Sequence, residues 1–256
     1  MKIASWNVNS LKVRLSHVLD WLAEAVPDVL CLQELKLEDA HFPRAEIEAA
    51  GYQVAFYGQK TYNGVALLAK TALEDVVFGN PHFPDEQKRL ISATVAGVRV
   101  VCAYMPNGQE VGCDKYDYKL RWLAALADWL AEELPRYPQL ALCGDYNIAP
   151  EARDVHDPAR WQDCILVSDL ERAAFQRFLD LGLADSFRLF EQPEKSFSWW
   201  DYRMLGFQKN QGLRIDHVLL SAPLAARCTA AGIDRAPRKR ERPSDHAPVW
   251  AALGAD

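Results

Sequence analysis

Polar side chains that can bind a metal ion or a phosphate lie at the ends of apolar runs or within them at five places in this chain. In LALCGDYNIAP, residues 140–150, an apolar run leads directly into Asp145 and Asn147. One such segment alone is usually a surface turn, because Gly, Asp and Asn all favour turns. The other four are IASWNVN with Asn7 and Asn9, VLCLQELK with Gln33 and Glu34, LRIDHVLLS with Asp216, and RPSDHAPVW with Asp245 and His246. Because sites in sheet proteins collect at strand ends, the repetition indicates one shared site.

The side chains of this predicted site are carboxylates, carboxamides and one imidazole, without a cysteine. Oxygen ligands of this kind suit Mg²⁺ or Mn²⁺ better than Zn²⁺. Mg²⁺ usually takes only one or two protein carboxylates and keeps positions for water or phosphate. Glu34, helped by Asn7 or Asp245, fits that sparse arrangement. The residues therefore predict metal-assisted hydrolysis of a phosphate ester.

Motifs and charge exclude some other functions. The chain has neither a GxxxxGK[ST] phosphate-binding loop nor a GxSxG nucleophile turn. Its formal net charge of −6 argues against holding nucleic acid by bulk charge alone. The run RAPRKRER at residues 235–242 carries five cations and one acid. Either a solvated loop or a phosphate contact would explain that run.

The elements that must position these side chains are apolar runs bounded by Gly, Pro and Asn. Runs rich in Val, Leu and Ile predict strands at residues 2–6, 28–32, 52–57, 65–69, 90–95, 98–105, 139–143, 214–220 and 248–253. The strands at 90–95 and 98–105 predict a hairpin. Helical spacing of apolar residues predicts helices near 15–22 and over 118–134, the latter stopped by Pro135. A third helix begins at Ser168, where Glu171 completes a capping box.

Mixed strands, helices and a hairpin predict one α/β domain over residues 1–256, with two packed sheets covered by helices. No apolar run reaches about 18 residues, so we expect no membrane-spanning helix. The first ten residues, MKIASWNVNS, lack the apolar core of a signal peptide. Six scattered cysteines without a CxxC pair indicate a reduced, cytoplasmic location, with Cys31, Cys102 and Cys143 as small core residues.

Eight segments, in order along nearly the whole chain, resemble the exonuclease III family of DNA-repair phosphodiesterases. They are WNVNSL, LQELK, NGVALL, YMPNG, GDYNIAP, SWWDYR, GLRID and RPSDHAP. The resemblance implies a four-layered α/β sandwich of the DNase I-like type, a divalent cation, and DNA as the partner. Members of that family cut beside abasic sites, trim nucleotides from 3′ ends and remove blocked 3′ termini. We expect a monomer with these activities.

The resemblance also implies roles at the metal and the attacking water. Glu34 is expected to be the main metal ligand, with Asn7 close by and Asp245 as a further ligand. Asp145 is expected to orient or deprotonate the water, and Asn147 to hold Asp145 or the phosphate. These carboxylates could support either one metal ion or two.

Further residues are expected at the scissile phosphate. His246 is expected to donate to a phosphate oxygen, oriented by Asp216. Tyr104 and Asn107, in YMPNG, are expected to contact the phosphate, and Asn9 to contact the substrate.

The segments SWWDYR and GLRID are expected to build a sugar pocket, with Trp199, Leu213 and Ile215 as its apolar wall. The competing interpretation is that such residues simply belong to the core, since aromatic side chains are mostly buried. Trp200 is expected in the core. Lys60 and Arg203 are candidates for contacts with the DNA backbone, with solvated surface as an equal alternative.

One segment departs from the resemblance. Strong abasic-site endonucleases of this family tend to carry a small Gly or Ser shortly before the ER pair, whereas this chain has Ile165, Leu166 and Val167. If this bulky segment lines the pocket, it hinders a flipped-out abasic sugar. We therefore predict that 3′-end removal dominates over internal nicking, with Leu166 as the substrate-facing residue.

Two other functions compete with a DNA-repair nuclease. The first is a phosphatase for small phosphorylated molecules, which would act on soluble phosphomonoesters and not on duplex DNA. The second is a binding module that keeps the fold without the chemistry. That module would be expected to have lost a catalytic side chain, yet all those named above are present.

Overall fold

Two six-stranded mixed sheets pack face to face in the computed structural model, which describes residues 1–255. The strands are β1 (Lys2–Asn7), β2 (Val29–Gln33), β3 (Gln53–Tyr57), β4 (Val65–Ala69), β5 (Glu74–Phe78), β6 (Leu90–Val95), β7 (Val98–Tyr104), β8 (Leu140–Asp145), β9 (Leu183–Asp185), β10 (Asp216–Ser221), β11 (Cys228–Ile233) and β12 (Val249–Leu253). The first sheet has the order β11-β12-β1-β2-β4-β3, and the second has β5-β6-β7-β8-β10-β9.

Helices α1 (Leu11–Ala25), α2 (Arg44–Ala49), α3 (Asp114–Arg136) and α5 (Asp169–Asp180) cover the outer faces of the two sheets. Two short helices are α4 (Pro158–Trp161) and α6 (Ala222–Arg227), and Leu224 of α6 packs in the core between the sheets. Apolar residues of α1 and α2 pack with the first sheet, and those of α3 and α5 pack with the second. The predicted four-layered α/β sandwich is therefore confirmed.

The central strands are apolar at nearly every position because both of their faces are buried. In β8, Leu140 and Leu142 pack toward the helices, while Ala141 and Cys143 pack between the sheets. This alternation follows the period of two along a strand. Cys31 also lies in the core between the sheets and is fully buried.

Other predicted core residues occupy the core as well. Cys102 lies between the sheets with the cysteines of β2 and β8, and all three are free thiols. Trp200 is fully buried in a smaller cluster with Phe197 and Ala247. Within residues 1–255, no helix combines the length and the apolar character needed to cross a membrane.

The differences from the sequence prediction concern short elements, edges and ends, and the short helices α2, α4 and α6 were not predicted. The hairpin of β6 and β7 and the capping box of Ser168 and Glu171 are confirmed. Helix α3 begins four residues before the predicted start and continues through Pro135 to Arg136. Strands β5, β9 and β11 were not predicted: β9 has three residues, and β11 reads CTAAGI, which is poor in strand-forming residues. Each of the three strands lies at the edge of a sheet.

Two cations of the basic run at residues 235–242 have partners inside the protein, while Arg235, Lys239 and Arg242 are exposed. Arg240 pairs with Asp20 and Glu24 of α1 at 2.7 and 2.8 Å. The guanidinium of Arg238 is buried and lies 4.9 Å from the centre of the Phe207 ring. Arg240 therefore fastens the last loop to α1 and Arg238 fastens it to the aromatic cluster, whereas a phosphate contact by the exposed cations stays a prediction.

A buried charged group and a buried histidine lie at the start of β10. Arg214 pairs with Asp154 at 2.7 Å and with Asp185 at 2.8 Å, and all three side chains are buried. Nδ1 of His217 lies 3.0 Å from Nη1 of Arg214, so that nitrogen accepts, and Nε2 donates to the carbonyl of Ile148 at 2.9 Å. Burial, reinforced by the charge of Arg214, lowers the pKa of His217 to about 4.

We therefore expect acid to destabilise the protein through His217. The unfolded chain binds a proton at this residue as the pH falls through about 6.5, while the folded protein does not until about 4, so stability is lost in that window. The loss should approach about 3 kcal/mol. Urea unfolding at several pH values should show a shallower pH dependence for His217→Gln than for the unaltered protein. An unchanged slope would contradict the assignment, and exposed His41→Gln is the matched control.

Candidate active site

Strand register brings the predicted residues to one edge of the two sheets. β1 and β2 are parallel and pair Asn7 with Gln33 at their ends. β7 and β8 are also parallel and pair Tyr104 with Asp145. β10 runs antiparallel to β8, so its first residue, Asp216, lies opposite Asp145. The polar ends of four strands and the start of a fifth therefore meet.

Glu34, Asp145 and His246 form the centre of this site. Each offers one ligand atom, and these atoms lie within 4.8 Å of one another. Asp145 and His246 are buried, whereas Glu34 is partly exposed. Glu34 follows β2 directly and adopts a φ of 53°. The convergence that the sequence predicted for these three residues is present.

Asn7 holds the two carboxylates of this centre together. Its Nδ2 donates to Oε1 of Glu34 and to Oδ2 of Asp145, both at 2.8 Å. Its Oδ1 accepts from the backbone N–H of Asn9 at 3.0 Å. As placed, Asn7 acts through its amide donor, and its direct role as a metal ligand stays a prediction.

The surroundings of Asp145 shift the pKa of its carboxyl group. Burial, with smaller effects from Asp216 and Glu34, raises the pKa of Asp145 to about 7, although His246 and Asn7 oppose that rise. A general base works best when its pKa lies near the operating pH. This carboxylate therefore has the electrostatic environment of a group that accepts a proton from water.

His246 is oriented by a buried carboxylate. Its Nδ1 lies 2.9 Å from Oδ2 of Asp216, and its Nε2 lies 3.7 Å from Oδ2 of Asp145. Ser198 donates from Oγ to Oδ2 of Asp216 at 2.6 Å. Burial opposes protonation of the imidazole, but the charges of Asp216 and Asp145 outweigh it and raise the pKa of His246 to about 10. The ring is therefore a cation at neutral pH.

Asn147 and Asn107 connect the loops after β7 and β8. The backbone N–H of Asn147 donates to Oδ1 of Asp145 at 2.9 Å. Its Nδ2 donates to the carbonyl of Met105 at 3.0 Å, and its Oδ1 accepts from Nδ2 of Asn107 at 3.0 Å. Asn107 is exposed, and its accessible carboxamide is linked through Asn147 to the carboxylate of Asp145.

Tyr104 ends β7 beside the centre. Burial, with the charges of Glu34 and Asp145, raises the pKa of Tyr104 well above its ordinary value. The guanidinium of Arg89 lies 4.9 Å from the centre of the Tyr104 ring. The phenol therefore keeps its proton and remains a hydrogen-bond donor.

Asp245, the other predicted metal ligand, has a donor at each oxygen. Nδ2 of Asn9 donates to Oδ1 at 2.9 Å, and Nε1 of Trp199 donates to Oδ2 at 3.0 Å. Burial would raise the pKa of Asp245, but His246 and these two donors hold it below the ordinary value. As placed, Asp245 fixes Asn9 and Trp199, and its role as a ligand stays a prediction.

Two side chains of the site were not selected from the sequence. Nζ of Lys36 lies 2.7 Å from Oε2 of Glu34 and 2.5 Å from Oδ1 of Asn9. Its position two residues after Glu34 was a usable signal. Ser198, which supports Asp216, had none, because the two residues belong to separate segments 18 positions apart.

Trp199, Leu213, Ile215 and Leu166 lie in one apolar cluster. Trp199 forms isolated strand bridges with Leu213 and with His246, so this cluster adjoins the imidazole. Leu213 and Ile215 are fully buried, while Trp199 is half-buried. Trp199 therefore presents accessible surface, and the other members support it from behind.

The two candidate DNA-backbone cations lie on the surface. Lys60 is exposed. The side chain of Arg203 is 85% exposed, and its Nη2 lies 2.7 Å from Oδ2 of Asp201. Neither residue contacts the central carboxylates in the described hydrogen bonds and ion pairs, and their contact with DNA stays a prediction.

The donor set of the centre fits a hard divalent cation. Because His246 is protonated at neutral pH, the available ligand atoms are the carboxylate oxygens of Glu34 and Asp145. One or two carboxylates are what Mg²⁺ usually takes from a protein. The cysteines, which Zn²⁺ or Cu⁺ would favour, lie elsewhere in the core or on the surface.

The four-layered sandwich with this polar edge defines the DNase I-like class of folds. The chain belongs to the endonuclease/exonuclease/phosphatase family, whose model matches residues 4–246. It is 40% identical over 266 residues to exodeoxyribonuclease III of Haemophilus influenzae, across 98% of this chain and 99% of the relative. It is 34% identical over 255 residues to an exodeoxyribonuclease of Bacillus subtilis, across 97% of this chain and 98% of the relative.

Two solved structures share the whole fold. A 3′ phosphatase from Neisseria, solved with a product DNA hairpin, superposes with a TM-score of 0.98 at 46% identity and full coverage of both chains. An AP endonuclease from Archaeoglobus fulgidus superposes with a TM-score of 0.96 at 40% identity, again over both full chains. The family predicted from the eight segments is therefore confirmed.

Proposed function

We propose that this protein is a divalent-metal-dependent DNA-repair nuclease that hydrolyses phosphate esters at the 3′ ends of DNA. The observation that carries the proposal is the convergence of Glu34, Asp145 and His246, with ligand atoms within 4.8 Å, in a chain of this family. The full-length relatives are exodeoxyribonucleases, and one structural neighbour is a 3′ phosphatase bound to product DNA.

Glu34 is the residue that would hold Mg²⁺ or Mn²⁺, with Asn7 and Asp245 as the further candidates, and Asp145 is assigned to the attacking water. The ion supplies charge neutralisation on the phosphate and on the leaving oxygen when it is bound. Asn7 keeps the two carboxylates at a fixed separation through its two hydrogen bonds. One ion or two fits this set.

The reaction proposed for this site is attack by water on the phosphorus, which forms a new P–O bond and breaks the bond between phosphorus and the 3′ oxygen that stays on the DNA. Asp145 takes the proton of that water, because its raised pKa matches neutral pH. His246, held as a cation by Asp216, donates from Nε2 to a phosphate oxygen. The imidazolium of His246 is already in place when negative charge develops on the phosphate, so it stabilises that charge without reorganisation of the protein.

The neighbouring side chains bind the substrate. The neutral hydroxyl of Tyr104 and the exposed carboxamide of Asn107 donate to phosphate oxygens, and Asn147 keeps Asn107 in place. Asn9 contacts the nucleotide next to the phosphate. Trp199 forms the sugar-facing wall in front of the buried part of the apolar cluster.

DNA is the partner, and the backbone contacts are proposed for exposed Lys60 and Arg203. Phosphate contacts of this kind position a duplex without reading its sequence. We propose that residues 1–256 act as one domain and as a monomer. The six free thiols support a cytoplasmic location, because thiols persist in reducing compartments.

An oligonucleotide panel tests this function. The panel carries a 3′-phosphate, a recessed 3′ end, an abasic site within a duplex and a single strand, each with Mg²⁺ and with a chelator. We expect release of phosphate and of nucleotides from the 3′ end with Mg²⁺, and none with the chelator. Hydrolysis of a soluble phosphomonoester without activity on duplex DNA would instead identify a small-molecule phosphatase.

The segment around Leu166 is proposed to limit nicking at abasic sites. Leu166 is 4% exposed, has a φ of 75° and packs with Leu213 and Ile215. Leu166→Gly removes the bulk and suits the backbone, since glycine adopts positive φ without steric cost. We expect nicking relative to 3′-phosphate release to rise about tenfold, equivalent to ~1.4 kcal/mol in the barrier.

The measurement compares both reactions on duplexes of the same sequence. The lost side chain should also destabilise the fold by about 2–5 kcal/mol, partly offset by relief of ~1–2 kcal/mol of backbone strain. Val155→Ala, in the same cluster, is the control for destabilisation alone. If the unaltered protein nicks abasic DNA as fast as it clears 3′ ends, the proposed restriction is wrong.

A further inference from the structure

A fully buried lysine lies directly behind the loops of the active site. Lys119 is on α3, and its side chain is 0% exposed. Its Nζ donates to the carbonyl of Asn147 at 2.7 Å and to the carbonyl of Asn107 at 3.1 Å. The third donor of the ammonium goes to Oε1 of Glu171 on α5. All three donors of a lysine are therefore used, two of them by the backbone of site residues.

Glu171 carries the connection to residues 165–168, the specificity segment. The same Oε1 accepts from the backbone N–H of Leu166 at 3.1 Å. Its Oε2 accepts from the N–H of Ser168 at 3.1 Å and from its hydroxyl at 2.7 Å. The hydroxyl of Tyr116, on α3, lies 2.7 Å from Oγ of Ser168. Two helices, two site loops and the specificity segment thus share one buried polar network.

Van der Waals packing around Gly108 also connects the loop after β7 to the specificity segment and to Lys119. Gly108 has a φ of +89°, and a Cβ added there would lie 2.9 Å from Cδ1 of Ile165 and 3.0 Å from Cδ of Lys119. The loop after β7 is therefore held between the specificity segment and the stem of the lysine. A shift of either neighbour would move the backbone that carries Asn107.

A buried ion pair is weak evidence for a role in stability, because the desolvation of both charges offsets their attraction. Apolar side chains could fill this space at similar or lower cost. What they could not do is bind two carbonyls and two N–H groups from three separate segments. The pair is therefore best explained by the geometry that it imposes on those segments.

We propose that Lys119 and Glu171 form a positioning pair that sets the placement of Asn107 and Asn147 relative to the specificity segment. This inference rests on the proposed function, in which Asn107 contacts the scissile phosphate and Asn147 holds the carboxylate of Asp145. Neither Lys119 nor Glu171 touches the substrate. The pair acts by binding the backbone carbonyls of Asn107 and Asn147. It thereby fixes the carboxamide of Asn107 and the backbone N–H of Asn147, which donates to Asp145.

The double variant Lys119→Met with Glu171→Gln tests the pair without leaving an unpaired buried charge. The new glutamine needs no cation partner, its oxygen still accepts a backbone N–H of the specificity segment, and its amide can donate to the hydroxyl of Ser168. The matched control is Arg99→Met with Glu133→Gln. That pair is also buried, at 3.4 Å, and also involves α3, but it lies against β5 at the edge of the second sheet.

We expect the Lys119 double variant to lower kcat for 3′-phosphate release by about 10- to 100-fold, since small misplacements of positioning groups cost rates of this order. KM should change by less than about threefold, because the surface cations still bind DNA. The control pair should lower the urea midpoint comparably and leave kcat within about twofold of the unaltered protein. Hydrogen exchange should become faster at residues 106–109 and 146–149 in the first variant only.

A folded Lys119 double variant with unchanged kcat and unchanged exchange in those two loops would overturn the positioning role. An equal loss of kcat in the control pair would overturn it as well, because the effect would then be general destabilisation. Failure of the unaltered protein to act on any DNA of the panel would overturn the proposed function instead. In that case the exchange measurement alone still decides whether the pair holds the two loops.

Discussion

Replacement of Asp145 by Asn is expected to slow the release of 3′-phosphate and of 3′ nucleotides by about 10²- to 10⁴-fold, the usual contribution of a general base. The carboxylate lies at the end of β8, where Asn7 and the backbone N–H of Asn147 direct its two oxygens. Asn keeps one of those oxygens and a similar shape but cannot accept the proton of water. Single-turnover rates with Mg²⁺ on a 3′-phosphate duplex measure the loss.

The fold should survive this replacement. Burial beside Asp216 and Glu34 raises the pKa of Asp145, so the charged form is disfavoured in the folded protein and its removal relieves repulsion. Thermal unfolding of the Asp145→Asn variant should therefore occur at or above the temperature of the unaltered protein. Exposed Asp163→Asn, which keeps a residue suited to its positive φ, is the control. A variant that cleaves within tenfold of the unaltered protein would remove Asp145 from the role of base.

Replacement of His246 by Gln is the second change with a large expected effect. The imidazolium lies between Asp216 and Asp145 and is the charge proposed to face the phosphate. Loss of one preorganised donor at a developing negative charge typically costs about 10²- to 10³-fold in kcat. Gln can still donate one hydrogen bond but carries no charge, so most of that loss should remain.

The pH profile should move in a direction that the electrostatics define. The charge of His246 lowers the pKa of Asp145, so removing it leaves three neighbouring carboxyl groups without their cation and raises that pKa above about 7. The residual activity of His246→Gln should therefore appear at higher pH than that of the unaltered protein. A profile of kcat/KM against pH measures the shift, with His82→Gln on the surface as control. An unshifted profile would show that the imidazolium does not act on Asp145.

The local sequence patterns predicted much of the scaffold. The apolar runs predicted nine strands because the central strands are buried on both faces, so nearly every residue of such a run is apolar. The capping box at Ser168 was equally local, since its hydrogen bonds join residues three apart. Short or small-residue edge strands such as β9 and β11 were missed because they bury little and their pairing depends on a neighbour.

By itself, the sequence determined which strands exist in the core and which polar side chains follow them. The tertiary structure decided which of these side chains meet: Asn7 contacts Asp145 across 138 positions of chain, and Ser244 contacts Asn7 across 237. It also decided that Lys119 reaches the site, that Arg240 of the basic run pairs with α1, and that the pKa values of Asp145 and His246 lie far from their ordinary values. The physical reason is that strand register and burial depend on packing between segments that are distant in sequence. The residue pattern within one segment therefore cannot predict them.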